Sequence, residues 1–343
     1  MTAPRRVAVS ITNFNGRATL PPTLASVFAQ DYAHITEVML ADDGSTDESI
    51  AFVQAQFPMV RILRGPRNRG PNSVRNMGLV ATTAELVLVM DNDIVLQPDY
   101  VARTVAAFAA EPEAGAVSGQ IRFHDQPERV QYQGGVDIHY AGAAVQVQPA
   151  GRERMQAGAV SAGAMLVDRA KAARVGGFDE DFRFGWEDGD FTFRLALAGF
   201  ANFVVPGAVC FHLKQKRGTR WLRYQIRNRW WFMLKNFDGR TLLLAAPAIL
   251  FYQGCVALWC LLKLKPLDFV RGSLMVVGTL PLILRKRRVV MALKTVHDGR
   301  LLTGRAIDTL GDAGASGVVR VANGISNAVL GGYWRLIRGL LRR

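Results

Sequence analysis

The chain has 343 residues, half of them hydrophobic, and a net charge of +14. That is ample apolar material for a packed core, which excludes a disordered chain, and the length suits about two domains. The charge is uneven: residues 1–212 hold 18 Lys+Arg against 23 Asp+Glu, whereas residues 213–343 hold 24 against 5. A mildly acidic first part is joined to a basic last third, which points to an anionic partner, nucleic acid or a membrane surface. Cys210, Cys255 and Cys260 form neither a disulfide framework nor a metal pattern, which fits a reducing compartment. Met1–Val7 lacks the apolar core of a signal peptide, so the first part is expected to be made and kept in the cytoplasm.

In chain order, Val7–Thr12 reads as a strand bounded by Asn13 and Gly16, and Leu20–Gln30 has helical spacing. Val38–Ala41 is a second strand, ended by Asp42-Asp43-Gly44-Ser45; Ser45 or Thr46 can cap a helix to about Phe57. Val60–Leu63 is a third strand, followed by an arginine-bearing loop and a helix from Asn72 to Thr82. Glu85–Met90 is a fourth, and Pro98 opens another helix. Such alternation implies a parallel sheet flanked by helices, with ligands bound beyond the carboxyl ends of its strands. Asn13, Asp42, Asp43, Asp91 and Asp93 all fall at those ends.

Residues 121–165 read as irregular strands and loops, and Ala162–Val167 as a strand. Asp188–Ala198 reads as a helix, Phe203–Val205 and Ala208–Phe211 as two short strands, and Arg220–Phe237 as a basic, aromatic helix. Leu242–Leu262 is apolar and uncharged, long enough to cross a bilayer, yet Pro247 and Gly254 interrupt it and leave an in-plane helix open. Gly272–Leu284 is too short to span easily and is expected in the interface. Val318–Arg343 mixes apolar residues with five Arg and no acid, the pattern of an amphipathic helix on an anionic membrane; a soluble helical subdomain is the alternative.

Several polar motifs have bland readings when taken singly. Asp91-Asn92-Asp93 closes an apolar strand, where two carboxylates repel unless a cation or ligand lies between them; a solvated strand end is the other reading. Asp42-Asp43-Gly44-Ser45-Thr46-Asp47 can meet a base or ribose, or be only a turn and cap. Arginine in Arg75-Asn76-x-Gly78 suits a diphosphate, or a solvated loop. Glu187-Asp188-Gly189-Asp190 follows the aromatic segment Phe182–Trp186, which suits a sugar ring, or it caps a helix. His212 ends a short apolar strand, where a structural role is the commoner one.

Their order is what carries information. Asp42-Asp43-Gly44-Ser45, Arg75-Asn76-x-Gly78, Asp91-x-Asp93, Gly177-Phe178-Asp179-Glu180, Trp186-Glu187-Asp188-x-Asp190-Phe191-x-x-Arg194, His212 and Arg227-Asn228 occur in sequence. This resembles family 2 glycosyltransferases of the GT-A fold, over about residues 5–240. The resemblance implies an α/β fold with a Rossmann-like nucleotide-binding half and a central mixed sheet flanked by helices. A C-terminal helical, membrane-associated region would follow, with the division at 1–238 and 239–343. It implies donor contacts from Thr12, Asn13, Asp42, Asp43, Arg75, Asn76 and Asp91, and a divalent metal, Mn²⁺ or Mg²⁺, on Asp93 and His212. Asp188 takes the catalytic-base position with Glu187 beside it, and Trp186 the acceptor side.

The chemistry so implied is inverting transfer of one sugar from a nucleoside-diphosphate sugar to a hydroxyl of a glycan or polyprenyl-linked acceptor. The setting is cell-surface polysaccharide synthesis at the cytoplasmic face of the inner membrane. The chain would be peripheral there or cross it with one helix. Processive relatives carry Q-x-x-R-W, and Gln225-Ile226-Arg227-Asn228-Arg229-Trp230 has one residue too many, so single additions are expected, as in rhamnosyltransferase-like members. A processive synthase and a nucleotidyltransferase are the alternatives; the latter usually carries a glycine-rich, lysine-bearing loop, and Ser10–Arg17 has one Gly and no Lys. A nucleic-acid binder is disfavoured because the positive charge is mixed with long apolar runs.

Overall fold

The computed structural model describes residues 4–149, 151, 153–213, 221–309 and 317–342. The chain divides into two compact units: residues 1–135, 146–183 and 187–217, and residues 136–145, 184–186 and 218–343.

The first unit is built on one sheet. Its strands and helices run β1 (Val7–Asn13), α1 (Leu20–Phe28), β2 (Ile35–Asp42), α2 (Ser49–Gln56), β3 (Arg61–Arg64), α3 (Pro71–Ala81), β4 (Leu86–Asp91), β5 (Ile94–Leu96), α4 (Tyr100–Ala110), β6 (Ala114–Phe123) and β7 (Val130–Tyr132). After β8 (Gly135–His139) and β9 (Ala144–Gln146) come β10 (Met155–Ala157), β11 (Ala159–Val160), β12 (Ala164–Asp168), α5 (Arg169–Arg174), α6 (Glu187–Leu197) and β13 (Ala201–His212). The strand order is β10-β13-β6-β12-β4-β1-β2-β3, with β5 on β13 and β7 on β6. Strands β1, β2, β3 and β4 are mutually parallel, while β12 lies antiparallel to both β4 and β6, so the sheet is mixed. β4 and β12 are apolar up to a terminal Asp, and with β1 they are buried on both faces almost throughout, as strands covered by helices must be.

Several expected elements are displaced. The helix expected from Ser45 or Thr46 begins at Ser49, because the Ser45 hydroxyl is engaged by Asp42 and the Asp47 carboxylate accepts from the Ser49 amide at 3.0 Å. Pro98 precedes the N-cap Asp99 rather than opening the helix. The two short strands of 203–211 are one, β13, whose pairing with β6 shifts register between Val205 and Val209.

The second unit holds α7 (Leu222–Asn236), α8 (Gly239–Leu262), α9 (Pro266–Gly278), α10 (Leu280–Leu293), α11 (Asp298–Leu301), β14 (Leu302–Thr303) and α12 (Gly317–Leu341). The expected start of α7 at Arg220 and end of the last stretch at Arg343 lie outside the described residues. The single run expected over 272–284 is two helices bent by 65°, since Pro281 cannot continue α9. Residues 136–145 join this unit: Ile138 and His139 pair with Leu302 and Thr303, the Tyr140 hydroxyl donates to the Leu330 carbonyl at 2.7 Å, and its ring stacks on Trp334.

Candidate active site

The carboxyl ends of β2, β1 and β4 lie side by side, Asn13 opposite Asp42 and Thr12 opposite Asp91. Hydrogen bonds tie them together. The Asn13 amide donates to Asp42 at 2.8 Å and to the Ser45 hydroxyl at 3.1 Å, and the Asn92 amide donates to Asn13 Oδ1 at 2.7 Å. The middle residue of the D-N-D run is therefore a strut, a role its position in sequence gave no sign of. Asp42 Oδ2 accepts the Ser45 amide at 2.9 Å, which leaves that oxygen a further lone pair. Asp43 accepts from the amides of Arg69 and Gly70, both at 2.8 Å, and so anchors the arginine loop. Burial raises its pKa above the usual carboxylate value, although those amides pull the other way. Thr12 is buried, and its hydroxyl has no partner among the described residues.

Arg75 is buried at the start of α3 and joins three elements. Its guanidinium donates to Asp91 at 2.9 Å and to Asn72 at 3.2 Å, lies 3.8 Å from Glu187, and sits over the Phe178 ring. Burial favours loss of its proton, but Asp91 and Glu187 outweigh that, so its pKa rises. Asn76 is engaged elsewhere: it donates to the Phe178 carbonyl at 2.9 Å and accepts the Phe178 amide at 2.7 Å, which pins the 177–180 turn. Gly78 completes this motif sterically, because a Cβ there would lie 1.9 Å from the Ser10 hydroxyl of β1.

Asp93 and His212 meet at the β5 and β13 pairing, where His212 lies opposite Ile94. His212 Nε2 stands 3.4 Å from Asp93 Oδ2, and its Nδ1 lies 3.0 Å from the Gln131 amide oxygen. An amide oxygen accepts only, so Nδ1 is the donor in that pair and Nε2 is the ring atom that faces Asp93. Ligands at right angles around an ion with bonds of about 2.1 Å stand about 3 Å apart, so one carboxylate and one imidazole at this spacing suit a divalent cation. Gln131 was not legible, standing in the weakly patterned 121–165 stretch and far in sequence from His212.

Glu187 and Asp188 open α6. Asp188 is half-buried, its carboxylate accepting from Gly189 at 2.8 Å and loosely from Ala162 at 3.4 Å. Asp190, fully buried, pairs with Arg194 at 2.9 Å, and Arg194 also donates to the Val175 and Gly177 carbonyls; this part of the motif is framework. Trp186 belongs to the second unit, where its ring packs on Phe232 at 5.0 Å. Its backbone has φ 67, a left-handed conformation that a bulky residue rarely adopts. In the same unit Asn228 donates to the Gly185 carbonyl at 2.7 Å, which fixes the turn before Trp186.

A second cluster, Asp238, His297 and Asp298, lies in the second unit. The Lys294 ammonium stands 2.7 Å from Asp238 and 2.8 Å from Asp298, so the cation balancing these acids is the lysine.

Comparison with known proteins accords with this geometry. Residues 8–156 match the profile of Glycosyl transferase family 2, and residues 86–290 that of Glycosyl transferase family group 2. An N-acetylglucosaminyltransferase of Mesorhizobium japonicum is 28% identical over 229 residues, covering 61% of this chain and 51% of its own. The N-acetylglucosaminyl-diphospho-decaprenol L-rhamnosyltransferase of Mycobacterium tuberculosis is 28% identical over 203 residues, covering 52% of this chain and 66% of its own. The chain thus spans about half the length of the first of these relatives. Among solved structures, the mannosyltransferase PcManGT of Pyrobaculum calidifontis, in complex with GDP-Man and Mn²⁺, superposes with a TM-score of 0.52 at 18% identity, covering 99% of this chain and 86% of its own. At that identity the likeness carries the fold, and the GT-A architecture expected from the motifs is the one found. With the larger of the two profiles running from β4 into α10, the chain belongs to the family 2 glycosyltransferases.

Proposed function

We propose that the chain is an inverting, metal-dependent glycosyltransferase. It moves a single sugar from a nucleoside-diphosphate sugar to a hydroxyl of a glycan or polyprenyl-linked acceptor in cell-surface polysaccharide synthesis. The observation that carries the reading is the line of strand ends from Asp42 through Asn13 and Asn92 to Asp93, with Glu187 joined to Asp91 by Arg75. Thr12, Asn13, Asp42 and Asp43 form the nucleoside end, and Asp91 the ribose or sugar contact. Arg75 and Asn76 serve the donor by holding Asp91 and the 177–180 turn in place.

Asp93 and His212 would hold Mn²⁺ or Mg²⁺, which supplies positive charge to the leaving diphosphate. Asp188 accepts the proton of the acceptor hydroxyl. Of the two adjacent acids it is the candidate base, because Glu187 is engaged with the Arg75 guanidinium at 3.8 Å. As the acceptor oxygen bonds to the anomeric carbon, the bond from that carbon to the diphosphate breaks and the diphosphate keeps the electron pair. One such displacement inverts the centre. Trp186 immediately precedes this base and is assigned to the acceptor.

The names of the two relatives support an amino-sugar or deoxy-sugar donor and a lipid-diphosphate acceptor. A basic, apolar second unit supports an anionic membrane surface as the meeting place, on the cytoplasmic face. A thermal-shift screen of nucleoside diphosphates and their sugars, with and without Mn²⁺ or Mg²⁺, tests the reading. Stabilisation that requires metal and disappears in Asp93→Ala is expected. A flat response to every nucleotide, or pyrophosphate as the product of turnover, would overturn it.

A further inference from the structure

We infer that the second unit is seated in one leaflet of an anionic bilayer, with α8 lying along the interface instead of crossing it. This rests on the membrane association proposed above and adds its geometry.

Helix α12 has three distinct faces at the 100° per residue of an α-helix. Leu330, Trp334, Ile337 and Leu341 are buried in the unit. Val321, Ile325, Val329, Leu336 and Leu340 form a second apolar stripe that is exposed along the helix. Arg320, Arg335, Arg338 and Arg342 are exposed along the edge of that stripe. An exposed apolar stripe bordered by arginines, on a helix without an acidic residue, matches an acyl-chain boundary lined with anionic headgroups. Helix α8 carries the same kind of stripe, Leu243, Leu250, Leu258, Leu261 and Leu262, opposite its buried Ala245, Ala248 and Cys260. The two helices are tied by the Tyr333 hydroxyl, which donates to the Leu244 carbonyl at 2.8 Å.

By length and composition α8 is able to cross a membrane. Its partner in the unit argues against that. Gln253, just past the middle of α8, accepts a hydrogen bond from Arg229 of α7, and the guanidinium also sits over the Tyr252 ring at 4.9 Å. A spanning α8 would carry Arg229 to the hydrocarbon centre, disfavoured by about a hundredfold or more. It would also draw in the rest of α7, with Arg223, Arg227 and Lys235. The bent α9 and α10 pair is bound to the same helix: a Cβ on Gly272 would meet the Arg223 carbonyl at 2.6 Å, and Arg287 donates to the Leu234 carbonyl at 2.7 Å. Each apolar helix is thus held at the depth of a charged one.

The test uses the full chain reconstituted on sealed vesicles of phosphatidylcholine, with or without phosphatidylglycerol. Binding only to the anionic vesicles is expected, and failure to float with either would remove the membrane reading itself. Single cysteines are then introduced as Met59→Cys in the first unit and Leu264→Cys just beyond α8, both exposed positions. Equal labelling of both by an impermeant maleimide, relative to the parent chain, is expected. Protection of Leu264→Cys until detergent is added would show that α8 crosses, while leaving membrane association intact. Leu336→Glu with Leu340→Glu should weaken vesicle binding at least about 100-fold. A nitroxide on Leu336→Cys, which leaves the core face untouched, should become accessible to oxygen and shielded from a nickel chelate on vesicles. No change in that signal, or a dimer in solution that buries it, would assign the stripe to another copy of the chain and overturn the inference.

Discussion

The two units differ in what they leave exposed. In the first, apolar residues are sealed in the sheet and acids stand at the strand ends, with Asp42, Asp43 and Asp91 held by short hydrogen bonds. Among its described residues only Phe14, Phe28, Met59 and Val80 are large, apolar and exposed. Both units bury cations, Arg75 and Arg194 in the first and Arg227, Arg229 and Lys235 in the second, but the second turns a long series of large apolar residues outward, from Leu243 to Leu340. Exposed apolar surface on that scale marks an interaction surface. Under the proposed function, the first unit does the chemistry and the second sets where it happens.

The largest expected effects bear on that separation. Asp188→Asn should lower turnover by about 10²–10⁴-fold with donor binding retained, as loss of a general base does. Asp93→Ala should abolish transfer together with metal-dependent donor binding; measured donor affinities with and without Mn²⁺ distinguish the two. If a substitution in the α12 stripe lowered turnover on a soluble acceptor as far, the division of labour would be wrong.

Next in size, Arg75→Met should destabilise the first unit by about 3–5 kcal/mol, because it leaves Asp91 and Glu187 facing each other without their cation. Urea unfolding of the purified chain measures this, and a loss below 1 kcal/mol would mean Arg75 is not the joint we describe.

A smaller effect is expected in the second unit from pH. His139 is buried with Nδ1 accepting the Ala141 amide at 3.1 Å, and burial lowers its pKa to about 4. Because the folded pKa lies below the ordinary imidazole value, the neutral ring contributes stability that is present above about pH 6.5 and lost as pH falls toward 4. The loss should reach up to about 3 kcal/mol. Melting curves from pH 7 to 4 should show it, and His139→Asn should flatten the slope. The smallest effect should come from Arg305→Ala, whose partner Asp137 is reached at 2.8 Å on the surface. A change within about 1 kcal/mol is expected by the same unfolding assay.

The parallel half of the sheet was legible because its strands are short apolar runs cut by polar turns, and the acids fall where such strands end. What the sequence concealed are partnerships between distant residues. Gln131 with His212, and Asn92 with Asn13, are amide contacts that no local pattern announces. Residues 136–145 carry turn and strand signals like those around them, yet they pack with Leu330 and Trp334 nearly two hundred positions later. Likewise Asn76 and Arg194 belong to sequence motifs that suggest ligand contact, and both hold backbone turns.

Trp186 carries a final consequence. A left-handed backbone at a large side chain costs about 1–2 kcal/mol, which glycine would relieve only by giving up the ring's packing on Phe232. Trp186→Gly should therefore change heat tolerance little or lower it, because lost packing offsets the relief of the backbone. A selection for use of the acceptor should reject the same variant if the ring meets the acceptor as proposed.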